Sequence, residues 1–412
     1  MNVGCIKMDI KVISGGVTAP KGFMAGSAMA GIKTSGRYDV TIVYTPTPAS
    51  MAAVFTTNVV KAAPVLLSKA RLSANKGLGH GVVFSSGNAN AGTGARGMAD
   101  AGGMVQAAAE ALGCADEAVL VASTGVIGVY MPMDKVIAGV KSAAAAMDAD
   151  GGDKAARAIM TTDTIPKEIA VEIEAGGKTI TIGGMAKGSG MIHPDMATLL
   201  AMVTTDCAIE PPTLREAIKE ACDATFNMVT VDGDTSTNDS LFILANGLAG
   251  NPVIKSGADP DYAAFVEGLT YVCRHLARLI AKDGEGATRF IEIKVEGAKS
   301  HTDARLAAKA VAGSSLVKAA IYGKDANWGR ILCAMGYSGA DFDPDIVDLY
   351  IGDVQMMDNG AGLLFDEEKA LAWLEKDEVH ILAKLNQGDG QATAWGCDLT
   401  HEYVTINGSY RS

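Results

Sequence analysis

Twice in succession the chain runs from a short apolar stretch into a loop of small polar residues and then into an Ala-rich helical segment. Val82-Val83-Phe84 passes through Ser85-Ser86-Gly87-Asn88-Ala89-Asn90-Ala91-Gly92 to a helix predicted over about 94–112. Val119 to Ala122 passes through Ser123-Thr124-Gly125 to a helix predicted over 132–147. Such strand, loop and helix units belong to a layered α/β architecture, in which polar loops at strand ends form sites. At 412 residues, 48% of them hydrophobic, the chain suits two domains or one large α/β body with a substantial core. Its 48 glycines and 5% aromatics point to tight turns and close backbone approaches rather than disorder.

Other elements follow from local pattern. Strands are predicted over 38–44 and 51–56, separated by a turn at Thr45-Pro46-Thr47-Pro48, and a helix over Pro64 to Ala74. Alternation around Gly176-Gly177 predicts a hairpin that delivers the chain to a glycine-rich loop bearing Lys187. Leu199 to Val203 reads as a buried strand, and Pro211 to about Ala224 as a helix opened by a Thr213/Glu216 capping box. A helix over 261–282 precedes strands at Phe290 to Val295 and near 347–351, 378–384, 391–396 and 402–406. No repeat, low-complexity tract or composition shift marks a linker.

Several function classes are disfavoured. A net charge of -12 leaves no basic stripe to displace counterions from phosphates, so neither nucleic acid nor an anionic membrane is an expected partner. The seven cysteines are scattered, odd in number and without CxxC spacing, which fits reduced thiols rather than disulfides or zinc. With no 18-residue apolar run and no signal-type segment in Met1 to Val12, the expectation is a soluble, cytoplasmic protein. Asp232-x-Asp234-x-Ser236 begins like a calcium loop but lacks the later Gly and Glu, and the six histidines are dispersed, so no metal is expected.

The stretch from Gly183 to Asp206 carries the chemistry. A Gly- and Lys-bearing run meets His193-Pro194-Asp195-Met196-Ala197-Thr198 and then an apolar strand, so a hydroxyl at Thr198 would sit on a rigid element approached through a loop. An alcohol is a weak nucleophile at neutral pH and needs a base. If the Ala197–Thr198 bond breaks, Thr198 gains an α-amino group of pKa about 7.7–8.0, well placed to be that base. The plain alternative is an ordinary strand threonine. Thr124-Gly125 offers a hydroxyl and an unobstructed N–H for an oxyanion, or is simply a turn. Lys187 could hold a substrate carboxylate, or be a solvated loop lysine. Glu285, between two glycines, could bind an amine or relay a proton, or be a surface acid at a helix end.

Lys187-Gly188-Ser189-Gly190-Met191-Ile192-His193-Pro194-Asp195-Met196-Ala197-Thr198-Leu199-Leu200 closely resembles the self-cleavage signature of the ornithine acetyltransferase (ArgJ) family. The resemblance extends over nearly the whole chain, through Gly15 to Phe23, Ser85 to Ala91, Ser123 to Gly125, Met160 to Thr164, Asp232 to Ser240, Lys324 to Arg330 and Tyr403 to Asn407. It implies a layered α/β fold of the ArgJ/DmpA-like kind, with mixed sheets sandwiched by helices. It implies cleavage into an α chain, 1–197, and a β chain, 198–412, which stay together as α2β2. The implied reaction moves acetyl from N2-acetyl-L-ornithine to L-glutamate through an acetyl-threonine, without metal or tightly held cofactor. By position, Thr198 is the nucleophile and Thr124 and Gly125 the oxyanion hole. Substrate contacts fall on Thr161 or its neighbour Thr162, Lys187, Thr198, Glu285, Asn407 and Ser412. Some members also take acetyl-CoA as donor, which this sequence leaves open.

Two departures stand out: Asp195 replaces a common Asn, and the tail Tyr410-Arg411-Ser412 differs from the usual Tyr-Thr-Thr. Two other readings remain. An N-terminal-threonine amidohydrolase or aminopeptidase would pass the acyl group to water, and a non-enzymatic acidic assembly protein would keep its chain intact.

Overall fold

The computed structural model describes residues 10–193 and 199–409. Among the described residues, nine strands build one mixed sheet and six a second. The larger runs in the order Lys11–Ile13, Lys167–Ala175, Lys178–Lys187, Leu200–Thr205, Ser240–Ala245, Val40–Phe55, Leu78–Asn88 and Val119–Val126, with Met24–Ala28 paired to the start of Val40–Phe55. Leu200–Thr205 and Ser240–Ala245 lie parallel at its centre, and strands from earlier in the chain flank them on both sides. Every residue of these two strands is buried.

Side-chain alternation explains why they can be wholly buried: successive residues face opposite cores. Leu241 and Ile243 join the core made with helices Pro211–Ala224 and Tyr262–Lys282, whereas Phe242 and Leu244 pack with Ala155, Ala156 and Ile159 of helix Gly152–Ile159. The second sheet runs Ala361–Gly362, Val354–Asp358, Asp348–Ile351, Glu378–Lys384, Phe290–Ala298 and Gly390–Cys397. Ile173 and Ile182 of the first sheet and Ile293 and Val295 of the second share one core with Leu269, Val272 and Leu276, so Tyr262–Lys282 ties the sheets together. The chain is a layered α/β protein. Among the described residues, no helix is long and apolar enough to cross a membrane.

Both opening units keep the expected strands and helices, but Ser85 to Asn88 and Ser123 to Gly125, expected as loop, belong to the strands Leu78–Asn88 and Val119–Val126. Leu78–Asn88 and Val119–Val126 pair in parallel, with helix Gly94–Leu112 between them in sequence. Four other expectations are corrected. Thr45-Pro46-Thr47-Pro48 does not end a strand: Val40–Phe55 is continuous, and its pairing with Leu78–Asn88 skips from Tyr44 to Ala49. The prolines thus occupy an irregularity where the ladder asks for no N–H.

The Thr213/Glu216 capping box is also absent. Proline at the first helical turn sets the start of Pro211–Ala224, and Thr213 Oγ1 donates instead to Lys255 O at 2.7 Å. Residues 402–406 lie in a helix, His401–Ser409, with no buried residue. Thr400 Oγ1 accepts the Tyr403 N–H at 3.2 Å, a capping contact that starts a helix where β-branched content suggested a strand. Finally, Gly183 to Lys187 is strand rather than loop, paired antiparallel with Leu200 to Thr204.

Candidate active site

Thr124 and Gly125 come just before the end of strand Val119–Val126, whose neighbour ends in Gly87-Asn88, and there the parallel ladder slips: Gly87 faces Gly125 while Asn88 faces both Thr124 and Val126. Gly125 has φ +129°, and a Cβ on it would lie 2.4 Å from the Gly87 carbonyl carbon, so only glycine fits. Gly125→Ala should therefore cost about 1–3 kcal/mol of stability, read as a lower thermal midpoint, because backbone rather than a flexible side chain would have to move.

Lys187 is the last residue of its strand and is buried, which rules out the alternative of a solvated loop lysine. Its Nζ donates to Thr124 Oγ1 at 3.4 Å. A lysine ammonium only donates, so the Thr124 hydroxyl accepts from it and keeps its own proton to give elsewhere. Burial pushes the Lys187 ammonium below its ordinary pKa; Asp163 opposes this, and Lys167 adds to it.

Beneath Lys187 lies a buried ionic knot. Lys167 Nζ, on a side chain with 0% exposure, contacts Asp163 Oδ1 at 2.7 Å and Asp283 Oδ2 at 2.5 Å. Asp163 also accepts the N–H groups of Gly188 at 2.7 Å and Thr161 at 2.9 Å. Asp283 accepts from the backbone and hydroxyl of Thr164, and its own carbonyl accepts from Ser189 Oγ at 2.6 Å. Burial by itself would raise the Asp163 pKa; the charges of Lys167 and Lys187, with the hydrogen bonds from Lys167 and Gly188, hold it down at about 2. One lysine therefore fastens together the segments that carry Thr161, Lys187 and Glu285.

Glu285 enters from the turn after helix Tyr262–Lys282, its N–H bonded to Ser189 O at 3.0 Å. A Cβ on Gly190 would lie 2.3 Å from Glu285 Oε2, so glycine lets the carboxylate fold over the Lys187 segment. Asn407, on the C-terminal helix, donates from Nδ2 to Glu285 Oε2 at 2.8 Å. Asn238 anchors the opposite wall, donating to Ala89 O at 2.6 Å and Ser123 O at 2.8 Å.

These groups converge on one cavity, lined by Thr124, Gly125, Thr161, Thr162, Lys187 and Glu285, with Ser236, Asn238 and Asn407. Both Thr161 and Thr162 face it. An inner recess brings Lys187 and Thr124 to Leu199, Leu200, Asn238 and Asp239. Thr198 and Ala197 lie outside the described residues, as do Asp195 and Ser412, but Leu199, bonded to Thr198, is at the recess. Asp232, the first residue of the calcium-like motif, instead accepts the N–H groups of Met191 at 2.6 Å and Ile192 at 2.8 Å. Asp163, Lys167, Asp283 and Asp239 were not singled out from the sequence. The only signal was a lysine heading an alternating apolar strand, four residues after an aspartate in a run of threonines.

A model of the ArgJ family matches residues 24–412. The chain is 58% identical over 402 residues to the arginine biosynthesis bifunctional protein ArgJ of Symbiobacterium thermophilum, covering 97% of this chain and 99% of that protein. It is 51% identical over 407 residues to the protein of the same name from Caldanaerobacter subterraneus subsp. tengcongensis, covering 98% of this chain and 100% of that one. Among solved structures, an ornithine acetyltransferase complexed with ornithine from Mycobacterium tuberculosis is 43% identical, covers 46% of this chain and 100% of its own, and aligns with a TM-score of 0.43.

Proposed function

Because the chain belongs to the ArgJ family, we propose that it cuts itself between Ala197 and Thr198 and then carries acetyl from N2-acetyl-L-ornithine to L-glutamate on the Thr198 hydroxyl. The observation that carries this reading is the convergence of Thr124, Gly125, Lys187, Glu285 and Asn407 on one cavity whose inner recess reaches Leu199.

In the first half-reaction Thr198 Oγ attacks the acetyl carbonyl, and its α-amino group takes the hydroxyl proton. The oxygen that becomes negative is received by the Thr124 hydroxyl and the Gly125 N–H, donors already in place before charge develops. The proton then leaves with ornithine's nitrogen. Lys187 holds the carboxylate end of the amino acid, with Thr161 and Thr162 beside it, while Glu285, steadied by Asn407, binds its amino groups. Glutamate enters the same pocket and reverses these steps, so one amino-acid site serves both substrates.

Each role is filled by the chain's own groups, and no step of the proposed reaction calls for a metal or bound cofactor. Acetyl-CoA enters only as an alternative donor. The cut chains form an α2β2 cytoplasmic enzyme, with Ser412 as a further substrate contact.

Incubation with N2-acetylornithine and glutamate should release ornithine matched one for one by N-acetylglutamate. Ornithine matched by free acetate would favour the amidohydrolase reading and overturn the transferase. N-acetylglutamate formed from acetyl-CoA without acetylornithine would establish the second donor.

A further inference from the structure

A polar cavity that takes an amino acid must also meet the hydrocarbon between its charged ends. Among the described residues lining the cavity, only Ile127 and Met191 carry large apolar side chains. Each is 42% exposed. A single exposed apolar side chain is ordinary on a protein surface. Met191 differs in what its position costs.

Its φ is +56°, in the left-handed region that glycine and asparagine enter readily and a long side chain rarely does. Asp232 holds it there, its Oδ2 accepting the Met191 N–H at 2.6 Å and its Oδ1 the Ile192 N–H at 2.8 Å. Successive N–H groups converge on one anion when the backbone takes such a left-handed step. The following residue is fixed as well: Ile192 O accepts from Val231 N at 2.7 Å, and the Ile192 side chain is buried. The strained residue is thus over-determined by its surroundings. An outlier held this way on a cavity wall is a feature of ligand sites rather than of plain turns.

On the reading that this cavity takes N2-acetyl amino acids, we propose that Met191 and Ile127 form the subsite for the substrate's methylene chain, with Met191 determining specificity for its length. Lys187 and Glu285 meet the charged ends, and these two side chains cover the hydrocarbon between them. The rest of the lining is glycine, threonine, serine and asparagine, which offer it little apolar surface.

The two residues suit different parts of that task. Ile127 directly follows strand Val119–Val126, and its β-branched side chain makes a stiff wall. Met191 lines the inner recess as well as the main cavity. An unbranched thioether repacks easily, so it can follow chains of unequal length. A pocket that receives ornithine and glutamate in turn needs that adaptability on one side and a fixed surface on the other.

The test uses two neutral competitors of ornithine release by the mature enzyme. N-acetyl-L-norvaline is N2-acetylornithine without its side-chain amine, and N-acetyl-L-alanine has the same acetyl and carboxylate groups on a chain shorter by two carbons. Neither carries a group for Glu285, so their inhibition constants differ only through the hydrocarbon. Wild type should favour acetylnorvaline by about tenfold or more, since each buried methylene is worth about fourfold. Met191→Gly, which suits the left-handed backbone, should fold and be cut like wild type. Its preference should fall to about threefold or less. A preference within twofold of the wild-type value would overturn the assignment, and so would a wild type that does not distinguish the two compounds. If Met191→Gly is not cut, Ile127→Ala, which lies outside the junction segment, is held to the same outcomes. A wild type that releases no ornithine from N2-acetylornithine would instead overturn the transferase reading on which this rests.

Discussion

Thr198→Ala should give a single uncleaved chain and lower acetyl transfer by about 10⁴-fold or more, because one substitution removes the group on which both reactions depend in the proposed scheme. Electrophoresis reads the first effect and ornithine release the second. The loss should lie in turnover rather than substrate binding, since Lys187, Glu285 and Asn407 keep their places. Thr198→Ser, which keeps a hydroxyl, should still cleave. Fragments ending at Ala197 in the alanine variant would sink the assignment of the nucleophile.

Lys167→Met should destabilise the protein by about 3–5 kcal/mol, since it leaves Asp163 and Asp283 buried without their cation. The pH dependence has a definite sign. Asp163 is held at about 2 in the folded chain, below the roughly 3.9 of an unfolded aspartate. Its contribution is therefore complete above pH about 4 and is lost as pH falls towards 2. The gap in stability between wild type and Lys167→Met, measured by urea unfolding, should be widest near neutrality and narrow in acid. Turnover should fall about 100-fold even under conditions where the variant is folded, because the segments bearing Thr161, Lys187 and Glu285 lose their common fastening. A variant as stable and active as wild type would show that the knot holds nothing in place.

Much of this was legible in the chain. The strand that carries Thr124-Gly125 and the helix after it could be read because the apolar run and the Ala-rich run are local signals, but pairing with Leu78–Asn88 draws the small polar residues into the strand. Lys187 was read as a loop residue because Gly183 and Gly184 speak against a strand, and only pairing with Leu200 to Thr204 overrides them. The helix at His401–Ser409 was missed for the opposite reason: Val404, Thr405 and Ile406 favour a strand, but no sheet edge accepts them and Thr400 caps them instead. The ionic knot was hidden because its partners, residues 163, 167 and 283, are assembled by tertiary folding alone. Asp239 lay inside a recognised polar segment, yet what distinguishes it is burial with a carboxylate oxygen that has no hydrogen-bond partner among the described residues, which no sequence displays.

The two central strands of the large sheet, Leu200–Thr205 and Ser240–Ala245, are clasped on both sides by strands that precede residue 197. A cut at Ala197–Thr198 would leave two polypeptides woven through each other, joined along two seams of backbone hydrogen bonds. They could not drift apart by dilution without first unravelling the sheet. Once unravelled, they would have to find each other by collision, so refolding would change from a first-order to a second-order process. Self-cleavage in this architecture is then a one-way commitment: persistence of the mature enzyme is governed by how slowly the sheet opens rather than by how readily it re-forms.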